Sequence, residues 1–144
     1  MSGEVWVVDD ERSILDALLV VFGSHGLTVR GFSDPQRALE RALREPPCVL
    51  VTDYAMPRMN GVELARALRE RLASACPRLL LVTGTDLRRV ELTLFDHVVH
   101  KPFRIAELVS KVRSYVAPRA ARRVESHTRL RTTEGIRRAG GQSR

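Results

Sequence analysis

Residues 48–51, Cys-Val-Leu-Val, can form only one kind of element. Four residues are too few for a helix, two of them are β-branched, and Pro46-Pro47 bars a helix from propagating into the run. The stretch therefore predicts a buried strand. Asp53 stands at its carboxyl end, followed by a loop carrying Pro57, Asn60 and Gly61. In open parallel α/β sheets, the crevice beyond the carboxyl strand ends is where chemistry is placed. The next helix begins near Gly61, too far downstream for Asp53 to cap it, which points to a functional carboxylate.

The rest of the chain repeats this alternation. Val5–Val8 predicts a first strand, ending at Asp9-Asp10-Glu11. Ile14, Leu15, Leu18, Leu19, Val21 and Phe22 form a helical stripe stopped by Gly23 and Gly26. Leu27 to Arg30 predicts a short strand suited to a sheet edge, and Asp34-Pro35 a helix start with a capping side chain. A third helix follows Gly61, a fourth strand covers Leu79–Val82, and a short helix covers roughly Asp86 to Leu94. His97 to His100 predicts a fifth strand ending at Lys101-Pro102-Phe103, and Ile105 to Val116 the clearest helical stripe. Five near-continuous apolar strands alternating with helices predict a (βα)5 parallel sheet covered on both faces, with right-handed crossovers.

At 144 residues the chain is expected to be one domain with a sizeable core. Its apolar runs are too short for a membrane span, and its start has no signal-peptide layout, so a cytoplasmic location is expected. Cys48 and Cys76 form neither a metal cluster nor a disulfide framework. The net charge of +7 belongs to the end of the chain. Residues 1–117 hold 16 Lys and Arg against 15 Asp and Glu, whereas residues 118–144 hold 8 Arg against Glu125 and Glu134. Residues 1–117 are thus expected to be the folded domain, and 118–144 a basic, disordered tail.

The strand assignments bring Asp9, Asp10, Asp53, Thr83 and Lys101 to one sheet edge. Three carboxylates packed together raise one another's pKa unless a cation is present. A hard ion such as Mg²⁺ relieves that, while Lys101 and the Thr83 hydroxyl suit phosphoryl oxygens. A carboxylate can itself be the nucleophile, forming an aspartyl phosphate.

Asp9-Asp10, Asp53 with Met56-Pro57 and Gly61, Thr83-Gly84, and Lys101-Pro102-Phe103 together resemble the receiver domain of two-component response regulators. The resemblance covers residues 4 to about 117 and suggests a stand-alone single-domain type. It implies a flavodoxin-like, doubly wound sheet with strand order 2-1-3-4-5. It further implies that Asp53 accepts a phosphoryl group from a sensor histidine kinase or phosphotransfer protein, and that Asp10 and Asp53 bind Mg²⁺ directly. Asp9 would hold the ion through water and the Ala55 carbonyl would complete the site. Thr83 would report the phosphoryl group, Lys101 would pair with it, and the Lys101-Pro102 peptide would be cis, a state that X–Pro bonds alone reach cheaply. Such a protein turns over no substrate beyond its own phosphorylation and dephosphorylation, and passes its state to a downstream protein by contact.

Two features depart from the family pattern. Val98 stands three positions before the lysine, where an aromatic is usual, and the segment from Thr83 to Lys101 is about one helical turn short. A different class, an aspartyl-nucleophile phosphohydrolase, would need a D-x-D pair after the first strand, where this chain has adjacent Asp9-Asp10. A nucleotide-binding reading would need a glycine-rich loop, and none follows any strand. The remaining alternative is that the Arg-rich tail, with Arg122-Arg123 and Arg137-Arg138, binds nucleic acid.

Overall fold

The computed structural model describes residues 3–116. The chain divides into two compact units, residues 1–112 and 113–144, and of the second only residues 113–116 are described, as helix. The tail expected at 118–144 lies outside the described residues.

In the first unit β1 (Val5–Val8), β2 (Val29–Phe32), β3 (Val49–Asp53), β4 (Arg78–Thr83) and β5 (His97–His100) form one sheet in the order β2-β1-β3-β4-β5. Every pairing is parallel. The helices α1 (Arg12–Ser24), α2 (Pro35–Arg44), α3 (Gly61–Leu72) and α4 (Arg89–Leu92) connect the strands, and residues 105–112 are helical as α5. All residues of β1 and β3 are buried, as expected for central strands covered on both faces.

Alternation along the strands divides the core. Trp6, Val8, Leu50, Leu79 and Leu81 pack with Ala38, Leu39 and Ala42 of α2 and with Val62, Leu64, Ala65 and Leu68 of α3. Val5, Val7, Val49 and Val51 point to the opposite face, and Leu15, Leu18 and Phe22 of α1 are likewise buried. Asp34 caps α2 by accepting the Gln36 N–H at 2.9 Å, with Pro35 in the first turn. Asn60 and Glu63 form a reciprocal capping box at the start of α3, each bond 2.8 Å.

Three elements differ from the sequence expectation. The second strand is Val29–Phe32 rather than Leu27–Arg30. Gly26 turns the chain with φ 82°, and the Leu27 N–H still bonds back to the Phe22 carbonyl, so pairing with β1 starts later. Gly31 belongs to the strand because α1 lies against it: a Cβ there would stand 2.6 Å from Leu19 Cδ1. Phe32 follows, its ring centroid 4.7 Å from that of Trp6. The central strand runs on to Asp53, with the Thr52 hydroxyl donating to the Asp53 carbonyl at 2.9 Å. The fourth helix shrinks to Arg89–Leu92, a single turn. The N–H groups of Leu94 and Phe95 bond to carbonyls three residues back, a tightening that ends the turn just before β5.

The close seating of α3 on the end of β3 depends on a missing side chain. A Cβ at Gly61 would stand 2.4 Å from the Asp53 carbonyl oxygen and 3.2 Å from Tyr54 Cα, both backbone atoms. Gly61→Ala is therefore expected to cost about 1–3 kcal/mol through overpacking, measured by urea unfolding. Unchanged stability would contradict this tight approach.

Candidate functional site

The site is built by strand register. Val8 pairs with Thr52, so Asp9 and Asp53, each one residue further on, arrive side by side at the carboxyl edge. Asp9 is 4% exposed and Asp53 8%, whereas Asp10 stands in solvent. Carboxylate oxygens of Asp9, Asp10 and Asp53 lie within 4.8 Å of one another. This is the donor chemistry of a hard divalent cation: oxygen ligands only, with excess negative charge.

Lys101 comes from two strands away. Thr83 pairs with His100, and the Lys101 N–H donates to the Thr83 carbonyl at 2.8 Å, which sets the residue level with the acids. Its side chain spans the width of β4 and places Nζ 2.8 Å from Asp53 Oδ1. The Lys101-Pro102 peptide is cis. Burial pulls the Lys101 ammonium down, but the hydrogen bond and charge of Asp53, with the charges of Asp9 and Glu11, outweigh it and raise its pKa.

Asp9 shows the electrostatic load of the cluster. Its carboxyl is raised from 3.8 to about 6, chiefly by burial and further by the charges of Asp53 and Asp10. The Glu11 N–H, donating to Asp9 Oδ1 at 2.9 Å, and the Lys101 charge oppose the rise.

Thr83 is fully buried, and its hydroxyl is engaged in the loop beyond β4. It donates to the Thr85 carbonyl at 3.0 Å and accepts the Thr85 N–H at 2.9 Å. The described contacts therefore bring Asp9, Asp10, Asp53 and Lys101 together and leave the Thr83 hydroxyl with Thr85. Ala55 is exposed in the loop after β3. That loop is pinned by Tyr54, whose N–H donates to Val82 and whose carbonyl accepts the Gly61 N–H, and by buried Met56. Val98 is half-buried, pairs with Leu81 and packs into the α2–α3 core.

Two features of the site went unread in the sequence. Glu11 orients Asp9 through its backbone, a role that no side-chain pattern signals. Beneath the acids lies a cavity of ≈360 Å³, lined by Val7, Ile14, Leu18, Val51, Val82 and Phe103 among others. Its walls are ordinary core residues in the sequence, so only their packing reveals it.

The acid cluster and lysine at the carboxyl edge of a 2-1-3-4-5 sheet define a class, and comparison with known proteins agrees. The family model for the response regulator receiver domain matches residues 5–113, so the chain belongs to that family, the receivers of two-component signalling. Among curated proteins it is 33% identical over 117 residues to the DNA-binding response regulator MtrA of Mycolicibacterium smegmatis, covering 79% of this chain and 50% of that protein. It is 32% identical over 114 residues to the transcriptional regulatory protein CreB of Escherichia coli, covering 76% and 49%. The chain thus spans about half the length of the curated relatives it matches. Among solved structures, FixJ-N aligns with TM-score 0.71 at 26% identity, covering 81% of this chain and 95% of that one. The response regulator TrrA of Thermotoga maritima, in complex with Mg²⁺-BeF, aligns with TM-score 0.70 at 25% identity, covering 80% and 99%. Response regulators receive phosphoryl groups from histidine kinases. Among the described residues no helix is long and apolar enough to cross a membrane.

The raised Asp9 carboxyl has a consequence for stability. Without a cation, the folded protein binds this proton more tightly than an unfolded chain. The contribution is favourable below pH 3.8 and is lost as pH rises through about 6. Asp9→Asn is expected to stabilise the protein in chelator at pH 7–8 by roughly 1–3 kcal/mol. The gain should vanish near pH 4, as followed by chemical denaturation across pH. A gain that does not depend on pH would contradict the assigned cause.

Proposed function

We propose that this chain is a cytoplasmic, phosphorylation-controlled signalling receiver in which Asp53 accepts the phosphoryl group from a sensor histidine kinase or phosphotransfer protein. The observation that carries the reading is the Lys101 ammonium 2.8 Å from Asp53 Oδ1, with the Asp9 and Asp10 carboxylates close by.

The donor set fits Mg²⁺, with Asp10 and Asp53 as direct ligands, Asp9 acting through water and the Ala55 carbonyl completing the set. When bound, the ion would neutralise charge on the phosphoryl oxygens. Asp53 is the nucleophile: one carboxylate oxygen forms the new bond to phosphorus as the bond to the donor nitrogen breaks, and the leaving imidazole keeps the electron pair. Lys101, already held against Asp53, exchanges that partner for a phosphoryl oxygen. Thr83 gives up its bonds to Thr85 to donate its hydroxyl to the same group, which moves the loop after β4.

Transmission of the state must proceed without a rotating ring at position 98, because Val98 has none. The one-turn α4 and the Thr83–Thr85 loop are left to carry it to a downstream protein. We take residues 1–117 as the receiver and 118–144 as a basic tail without a part in the phosphorylation chemistry. The protein acts on no substrate other than its own Asp53.

Intact-mass measurement with acetyl phosphate and Mg²⁺ should show one phosphoryl adduct on the wild type and none on Asp53→Asn. Lys101→Ala should slow its formation by roughly 10²-fold, the loss typical of removing one stabilising donor. An adduct that persists in Asp53→Asn would assign the chemistry elsewhere.

A further inference from the structure

The outer side of α2 carries a second concave feature, whose lining shares no residue with the cavity under the acids. Arg37, Arg41 and Arg44 recur at i, i+4 and i+7, so they stand on one helix face. With Phe32 and Glu40 they line a groove of ≈320 Å³. None of the three arginines forms an ion pair among the described residues.

The bland explanation is that basic residues settle the carboxyl end of a helix. It suits Arg41 and Arg44, which lie in the last turn. It does not reach Arg37, which sits in the first turn of α2 at the opposite helix end, where the capping Asp34 carboxylate already binds the Gln36 N–H and the helix dipole disfavours a cation. Three unpaired guanidinium groups along about 10 Å of helix form a row matched to several anionic oxygens in series. Guanidinium groups recognise phosphate in a bidentate fashion.

The remaining two lining residues narrow the ligand. Phe32, at the end of edge strand β2, packs its ring against Trp6 on the core side and lines the groove with its remaining aromatic edge, against which a base can pack. Glu40 offers an acceptor suited to a sugar hydroxyl or an exocyclic amine, and it disfavours a continuous polyanion. A groove of this size lies at the lower end of small-ligand sites. We propose that the α2 groove binds a single nucleoside diphosphate or triphosphate, its phosphates on Arg37, Arg41 and Arg44 and its base against Phe32. The lack of a glycine-rich loop does not bear on this site, because side chains rather than backbone N–H groups hold the phosphates.

The test is calorimetric titration of the full chain with ADP in the absence of Mg²⁺. Wild type is compared with the triple variant Arg37→Gln, Arg41→Gln, Arg44→Gln and with Phe32→Leu. All four substituted side chains are exposed or half-exposed, and acetyl phosphate labelling of Asp53 serves as the check on folding. The triple variant should bind ADP at least about tenfold more weakly, equal to 1.4 kcal/mol, with labelling unchanged. Phe32→Leu should weaken ADP several-fold while leaving pyrophosphate unaffected. Failure of the wild type to bind ADP at millimolar concentration would overturn the proposal. So would equal affinity in the triple variant, which would move binding to the other arginines of the chain. Pyrophosphate matching ADP would reduce the groove to a bare anion site and refute a nucleoside ligand. A single-stranded oligonucleotide binding far more tightly than ADP would replace the single nucleotide with nucleic acid.

Discussion

The burial of the Asp9 carboxyl beside Asp53 and Asp10 is the constraint on which the site depends. Two adjacent parallel strands end level, so their terminal acids cannot avoid each other, and burial of Asp9 makes the repulsion costly. The 2.8 Å contact from Lys101 offsets part of that cost. Lys101 can reach only because β5 is held in register, and that register has its own anchor. Asp96, just before β5, accepts the Leu79 N–H and pairs with Arg69 of α3 and Arg78 of β4, while Arg69 also donates to the Leu94 carbonyl. A network far from the acids thus positions Lys101, the cation that pairs with Asp53 among the described residues.

The same arrangement explains why the site suits a reversible switch. A carboxylate cluster with one lysine carries unbalanced charge at rest, so under the proposed function a bound cation and phosphoryl group would change the local electrostatics more than the packing. Thr83 is fully buried and tied to Thr85, so its hydroxyl can serve a new partner only if that loop shifts. α4 is reduced to one turn and Val98 packs into the core beside Leu81, so under the proposed function the response would run through residues between β4 and β5. This differs in detail from receivers that turn an aromatic ring inward.

Much of this was legible in the residues. Strands rich in β-branched residues and leucine, such as Val5–Val8 and Leu79–Val82, were readable because a buried parallel strand has no competing pattern. The gathering of Asp9, Asp53 and Lys101 followed from their places at strand ends. What escaped depends on long-range packing. The second strand is displaced by two residues because Gly31 admits α1 and Phe32 meets Trp6, contacts that no local period encodes. The fourth helix is a single turn because β5 must begin where Asp96 meets Arg69 and Arg78. Asn60 and Glu63 carry the spacing of a capping box in the sequence itself. The partner chosen by the Thr83 hydroxyl is a matter of loop geometry, set only once the chain has folded.

On the proposed reading, the buried Asp9 carboxyl and its neighbours Asp10 and Asp53 form a cation site. Calorimetric titration of Mg²⁺ between pH 5 and 8 tests this most directly. A proton on Asp9 competes with the ion, so affinity should fall as pH drops through about 6, and Asp9→Asn should flatten that dependence. Failure to bind Mg²⁺ at millimolar concentration, or an affinity indifferent to pH in the wild type, would contradict the account.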